Sequence, residues 1–244
     1  METKRLLIGL ALAGLIASQA HTQDAYLPET ISPETFIPKW DLDDTILKKV
    51  PYRPLVAKNS AAILYCLMRH PLTFFQLIKT KACSEEWQET FKNFNAQENS
   101  YEHRFANMIQ KISQEKQLLP GMSEIVLELN KLGYEQHAAT NMGEKDYQYL
   151  VGKFPELFNC FSHVTYVTYD NKKKKIKKPM PEYFENVVKN HNNPTNKECC
   201  LIDDKAKNCK AAQEAVGWYS IQVPGNENNA KFLTRVLQER GVQL

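Results

Sequence analysis

Five consecutive residues, Asp41-Leu42-Asp43-Asp44-Thr45, hold three carboxylates and a hydroxyl directly behind a short apolar run at residues 36–40. Carboxylates crowded at a strand end repel one another, which is costly unless a cation or a reaction uses them. Asp41 and Asp43 are two apart, so on an extended chain they point the same way. A loop just past the strand would aim both at one spot, such as a divalent metal or a phosphate. Five residues alone fit a solvated acidic turn equally well, so the rest of the chain has to decide. Three further clusters lie downstream: Thr140-Asn141, Lys178 in Lys178-Pro179-Met180-Pro181, and Asp203-Asp204. Together they offer acids for a cation, and a hydroxyl, amides and an ammonium for an anion. A cation and an anion held side by side, with one carboxylate free to attack, suit phosphoryl transfer.

Positioning such residues takes a scaffold, and the chain changes texture in ways that suggest one. Residues 36–40 read as a first strand. Pro38 donates no ladder bond and Lys39 is charged, so the strand is expected to be short or irregular at its start. Residues 47–119 read as helical throughout. Ser60, Ser84 and Ser100 sit at helix starts, Pro71 breaks the first helix from a second, and four short helices are expected. Beyond Leu119-Pro120-Gly121 helices and strands alternate: a helix at 125–132 closed by Gly133, a strand at 134–140, and a strand region at 161–169. A basic loop at 172–178, a helix at 181–190, a strand at 199–202, a helix at 206–216 closed by Gly217, a strand at 219–223 and a helix at 229–240 follow. Such alternation predicts an α/β, Rossmann-like, mainly parallel sheet with helices on both faces, plus a small all-helical cap. The expected division is a core of residues 35–48 and 119–244 and a helical cap of residues 49–118. In sheets of this kind ligands bind at the carboxyl ends of the strands, where the acidic clusters and Thr140 fall.

The 244 residues suit one α/β domain with an insertion, and an apolar content of 43% supplies a proper core. The formal charge of +3 comes largely from one lysine run and makes no case for nucleic acid. At the N-terminus Lys4 and Arg5 precede an apolar stretch at 6–17, then Ser18-Gln19-Ala20. That is the pattern of a signal peptide over residues 1–20, cleaved after Ala20 and followed by an extended lead-in at 21–34. An exported protein, periplasmic or secreted, with no stable membrane span after cleavage is expected, and a cytoplasmic one if the signal is unused. The cysteines Cys66, Cys83, Cys160, Cys199, Cys200 and Cys209 lack framework spacing and read as buried thiols, although Cys66 and Cys83 could pair in an oxidising compartment.

On these residues the chain resembles the haloacid dehalogenase superfamily, specifically its phosphatase-type members with a helical cap inserted after the first motif. Asp41-Leu42-Asp43-Asp44-Thr45 is similar to the first motif, Thr140 to the second, Lys178 ahead of Pro179-Met180-Pro181-Glu182-Tyr183-Phe184 to the third, and Asp203-Asp204 with Asn208 to the fourth. Each motif is weak alone, but all four stand in order at the expected boundaries over about residues 35–224. The resemblance implies that Asp41 is the nucleophile and that Asp43 protonates the leaving oxygen, then deprotonates water. It implies Mg²⁺ held by Asp41, the Asp43 backbone carbonyl and Asp203, with Asp204, Thr45 and Asn208 in support. Thr140, Asn141 and Lys178 would bind the phosphoryl group of a small phosphorylated substrate. An acid at position 43 favours phosphatase over dehalogenase, whose leaving halide needs no proton. Asp44 stands where glycine is common, and Lys177 is one residue from Lys178. Phosphotransfer or mutase chemistry on the same fold, or a secreted binding protein with little catalysis, are the alternatives. In the cap, Arg53, Arg69, His70, Trp87, Tyr101, His103 and Arg104 are candidate substrate contacts.

Overall fold

The strands form in short runs, several of them buried along their whole length. In chain order they are β1 (Ile37–Trp40), β2 (Leu47–Lys49), β3 (Lys116–Leu118), β4 (Gln136–Ala139), β5 (Phe161–Thr165), β6 (Thr168–Tyr169), β7 (Lys175–Ile176), β8 (Cys199–Asp203) and β9 (Tyr219–Gln222). The coordinates are a computed structural model that describes residues 27–79, 84–95, 97, 99–171, 174–190 and 199–244. The expected signal peptide, part of the lead-in, Cys83, Lys172 and Lys173 lie outside the described residues. Five strands make one sheet in the order β5-β4-β1-β8-β9, and every pairing in it is parallel. β1, β4 and β8 are buried at every residue, as central strands covered on both faces must be.

Proline in the middle strand has a geometric answer. Successive N–H groups of a strand point to opposite neighbours. The Asp41 N–H goes to Ile202 O on the β8 side, so position 38 faces β4. The β1–β4 pairing begins only at Lys39↔His137, one residue later, and Pro38 therefore leaves no ladder bond unmade. Lys39 is fully buried.

The helices are α1 (Arg53–Lys58), α2 (Ser60–Arg69), α3 (Pro71–Lys79), α4 (Ser84–Phe94), α5 (Tyr101–Gln114), α6 (Met122–Lys131), α7 (Glu144–Lys153), α8 (Pro155–Phe158), α9 (Pro181–Asn190), α10 (Ala206–Val216) and α11 (Asn229–Gln238). One sheet face packs Trp40 and Ile202 against Val126, Leu129, Leu150 and Leu233, from α6, α7 and α11. The other packs Ile37 and Leu201 against Tyr183, Phe184 and Val187 of α9, with Trp218. Gly121 sits at φ +76°, and a Cβ there would lie 2.7 Å from Ala230 Cβ, so α6 can approach α11 only through a glycine. Part of the lead-in is docked: Leu27 and Ile31 are buried, and the Ile31 N–H bonds Arg240 O at 2.9 Å.

Three expectations are corrected. Residues 47–119 are not free of strands: β2 and β3 pair antiparallel, with Leu47 opposite Leu118 and Lys49 opposite Lys116, and tie both ends of the helical insert together. Two three-residue strands that share three lysines carry too little alternation to be read from sequence. The insert holds five described helices, because α1 precedes the four expected, starting at Arg53-Pro54 where proline suits a first turn. The strand region at 161–169 is broken after Thr165, and the basic stretch is partly a hairpin, Thr168↔Ile176 and Tyr169↔Lys175.

The insert has its own core, a cluster of Phe74, Trp87, Phe91 and Phe105 around Ala62 and Cys66. Trp87 stacks on Phe91 at 5.9 Å, and Phe91 meets Phe105 edge-on at 4.8 Å. It docks on the α/β core through Ser113 Oγ, which donates to Asp146 Oδ2 at 2.5 Å, and through a Lys175–Glu86 ion pair. Cys66, Cys160, Cys199, Cys200 and Cys209 are buried thiols outside any disulfide among the described residues. Among the described residues no single helix is long and apolar enough to cross a membrane.

Candidate active site

The acidic stretch leaves β1 as a tight loop, and its shape follows from its hydrogen bonds. The Ile46 and Leu47 N–H groups both return to Leu42 O, and the Asp44 N–H bonds Leu47 O at 2.7 Å. The loop turns at Asp44, whose φ is +64°. Aspartate is among the few non-glycine residues that tolerate this region, which accounts for it where glycine is common. Leu42 and Ile46 anchor the turn in the core at zero exposure. Asn229, also fully buried, donates to Asp44 O at 3.0 Å and Thr45 O at 2.9 Å, while its Oδ1 accepts from Gly225 and Asn226 N–H.

The loop, the ends of β4 and β8 and the start of α9 converge. Lys178 is only 2% exposed, and its Nζ donates to Asp41 Oδ1 at 2.7 Å and to Asp203 Oδ2 at 2.8 Å. Lys178, not Lys177, is therefore the lysine at the acids. Asn141 grips the Lys178 backbone on both sides: its Oδ1 accepts the Lys178 N–H at 2.8 Å, and its Nδ2 donates to Lys178 O at 3.0 Å. Both Asn141 amide groups are thus used in positioning Lys178. Asp203 accepts from Asn208 Nδ2 at 2.9 Å on each oxygen, and from the Lys205 N–H at 2.8 Å. Asp204 pairs with Lys205 Nζ at 2.9 Å. Thr45 Oγ1 lies 3.5 Å from Asp41 Oδ2, a long contact. Thr140 is buried, and its Oγ1 accepts the Met142 N–H at 3.1 Å. The Tyr183 hydroxyl donates to the carbonyls of Thr140 and Thr165 at 3.1 and 2.9 Å, fixing the β4 end.

Buried charges in this arrangement bias one another. Burial, opposed by the Lys178 ammonium and reinforced by Asp203, pushes the Asp41 carboxyl up to about 7. Burial alone would raise Asp203, but Lys178, the Lys205 N–H and Asn208 outweigh it and hold Asp203 below the usual range. Lys178 is held above the ordinary lysine value, because Asp41 and Asp203 overcome its burial. Oxygens of Asp41, Asp203 and Asp204 lie within 4.8 Å of one another. Hard carboxylate donors at that spacing fit a hard dication such as Mg²⁺, which would also favour the ionised form of Asp41.

Asp43 points elsewhere. Its side chain is 32% exposed and pairs with the buried Lys116 Nζ at 2.7 Å. Lys116, the first residue of β3, receives the Lys153 ammonium on its carbonyl at 2.9 Å. Asp43 and Lys116 line a cavity of about 420 Å³ between core and insert, with Asn141 and Met142 from the core and Trp87 and Ile109 from the insert. Of the candidate insert contacts, Trp87 alone lines this cavity. His70 stacks on Phe94 at 4.0 Å, and Arg104 covers the Tyr101 ring at 5.8 Å, both inside their own lobe. Lys116, Asn229, Tyr183 and Lys205 escaped the reading of the sequence. Only Asn229 carried a local signal, an asparagine at a helix start.

A family model described as haloacid dehalogenase-like hydrolase matches residues 40–215, well over half the chain. Among solved structures, the chain is similar to a HAD family enzyme of Bacteroides thetaiotaomicron in complex with magnesium and inorganic phosphate. That match has 19% identity and a TM-score of 0.53, covering 77% of this chain and 93% of that one. A Bacillus subtilis putative HAD-hydrolase bound to magnesium matches with 17% identity and a TM-score of 0.51, over 84% and 99% of the two chains. The L-2-haloacid dehalogenase of Xanthobacter autotrophicus with chloropropionic acid covalently bound matches at 17% and 0.51, over 85% and 84%. At such identities the likeness concerns the fold.

Proposed function

The chain belongs to the haloacid dehalogenase-like hydrolases, and on that premise we propose that it is a Mg²⁺-dependent phosphomonoesterase that works through an aspartyl-phosphate on Asp41. One observation carries the reading: Lys178 Nζ bridges Asp41 and Asp203, while an acid two residues on from Asp41, Asp43, stands at the wall of the cavity between core and insert. Asp41 attacks phosphorus, and the P–O bond to the leaving alcohol breaks. Asp43 gives that alkoxide its proton, held on the cavity side by Lys116. Asp43 then takes a proton from the water that cleaves the acyl phosphate, which returns Asp41 as a carboxylate. Lys178 and Thr140 bind phosphoryl oxygens, and Asn141 keeps Lys178 in place.

Asp41, Asp203 and Asp204 would hold Mg²⁺, with the Asp43 backbone carbonyl as the ligand the family resemblance adds. Bound there, the ion offsets the charge of the entering phosphoryl group. Neighbours crystallised with magnesium and with inorganic phosphate support this choice. The insert helices act as the cap: Trp87 and Ile109 face the leaving group and exclude water. A small phosphorylated metabolite with an apolar portion suits such walls.

Purified protein assayed on an aryl phosphate should turn over with Mg²⁺ and stop with chelator or with Asp41→Asn. Turnover that survives Asp41→Asn would sink the mechanism. The export reading rests on residues 1–20, and a mature N-terminus at His21 is its test.

A further inference from the structure

The sheet carries a second polar cluster, three residues before Thr140 in β4, that the proposed reaction does not use. In the β4–β5 register His137 stands opposite His163, which puts both imidazoles on one face. Their ring centroids are 4.7 Å apart with planes at 84°. Glu135 lies two residues before His137 in sequence, and its Oε1 is 2.6 Å from His137 Nε2. One ligating atom from each of Glu135, His137 and His163 falls within 4.8 Å of the other two.

We propose that Glu135, His137 and His163 form a second metal site, for a borderline transition ion of the Zn²⁺ class, that clips edge strand β5 to β4. The donor set decides the class. Two imidazoles and a carboxylate suit Zn²⁺, with a fourth position open to water, and suit Mg²⁺ or Ca²⁺ poorly. The ring of His137 is already set for the task. It is fully buried with Lys39 Nζ at its Nδ1. Burial lowers Lys39 to about 8, so the neutral amine accepts the Nδ1–H and leaves the Nε2 lone pair for a metal. Lys39 is in turn seated 5.6 Å over the Trp218 ring. That fixes Nε2 toward Glu135 and His163. Bonds of 2.0–2.1 Å in a tetrahedron bring neighbouring donors to roughly 3.3 Å. Glu135 and His163 are exposed, so side-chain rotation closes the remaining gap while His137 stays put. The site thus has one buried, pre-oriented ligand and two movable outer ones, and it shares no residue with the Asp41 cluster.

The test uses the full chain stripped of metal, then held in excess Mg²⁺ to occupy the carboxylate site. Calorimetric titration with Zn²⁺ should report one more bound ion in the wild type than in His163→Ala, or an affinity at least tenfold higher. Glu135→Gln should weaken binding in the same direction. Co²⁺ in place of Zn²⁺ should give visible absorption of tetrahedral strength in the wild type and lose it in His163→Ala. Zn²⁺ should raise the melting temperature of the wild type and not of His163→Ala, whose melting in chelator should match the wild type because His163 is exposed. Both variants should keep aryl phosphate turnover. Equal Zn²⁺ stoichiometry and affinity in wild type and His163→Ala would overturn the site, whatever the phosphatase assay gives.

Discussion

The α/β core and the helical insert solve opposite problems with opposite materials. The core buries charge: Asp41, Asp203 and Lys178 are sunk at the strand ends and satisfied by one another. Such a cluster costs desolvation and is kept for what it can do. The insert buries rings, with Phe74, Trp87, Phe91 and Phe105 packed edge and face. It leaves Met68 and Leu72 72% and 85% exposed. The core therefore supplies fixed polar geometry and the insert supplies shape, so substitutions in the two should fail differently. Core changes should remove chemistry from a folded protein, and insert changes should remove folding or substrate fit.

The largest effect expected is on the core side. Asp41→Asn should lower kcat by more than the roughly 10⁴-fold upper range for losing one proton-transfer group, with melting little changed. A folded variant that still turns over would break the contrast. Asp43→Asn should cost about 10²–10⁴-fold in kcat with alkyl phosphates. The loss should shrink for a nitrophenyl leaving group, which needs no proton; equal losses on both would remove Asp43 as the acid. On the insert side, Phe91→Ala should cost roughly 3–5 kcal/mol of stability by leaving a cavity among the rings. Hydrogen exchange should then accelerate across α2–α5 while the β1 and β8 amides stay protected; uniform loss would mean that the two regions unfold as one. The smallest effect is a pH dependence in the insert core. Burial first, and then Glu102, pushes the Cys66 thiol up to about 12 from 9.0. The folded state thus holds a proton that the unfolded chain releases. The stabilising contribution is complete below pH 9 and is lost as pH rises from 9 toward 12. Between pH 8 and pH 10 the wild type should lose about 1 kcal/mol relative to Cys66→Ala, read by urea unfolding.

The same contrast explains what could be read from the sequence. The core was legible because its constraints are local. β8 is an apolar run ending in two acids, α9 starts on proline, and Gly133 and Gly217 close helices at positive φ. Asp41, Thr140, Lys178 and Asp203 each stand at such a boundary, so their convergence follows from the topology of a parallel sheet. Lys116 was illegible because its role depends on a β2–β3 register across the 66 residues that separate the two strands, a contact no local pattern encodes. Pro38 looked like a defect because the β4 ladder on β1 starts two residues after the β8 ladder, which is a tertiary fact. Asn141 was read as a phosphate ligand, whereas its amide grips the Lys178 backbone, and residue type alone does not separate the two.

The β2–β3 ribbon has a mechanical meaning. It starts four residues after Asp43, and its returning strand begins with Lys116, the residue that holds Asp43. In the proposed reaction a swing of the insert about this ribbon would carry Lys116 with it and re-aim Asp43. Under the proposed mechanism the ribbon would serve as a crank: access to the cavity and readiness of Asp43 would be geared to one shaft, and opening the insert would leave the acid out of mesh.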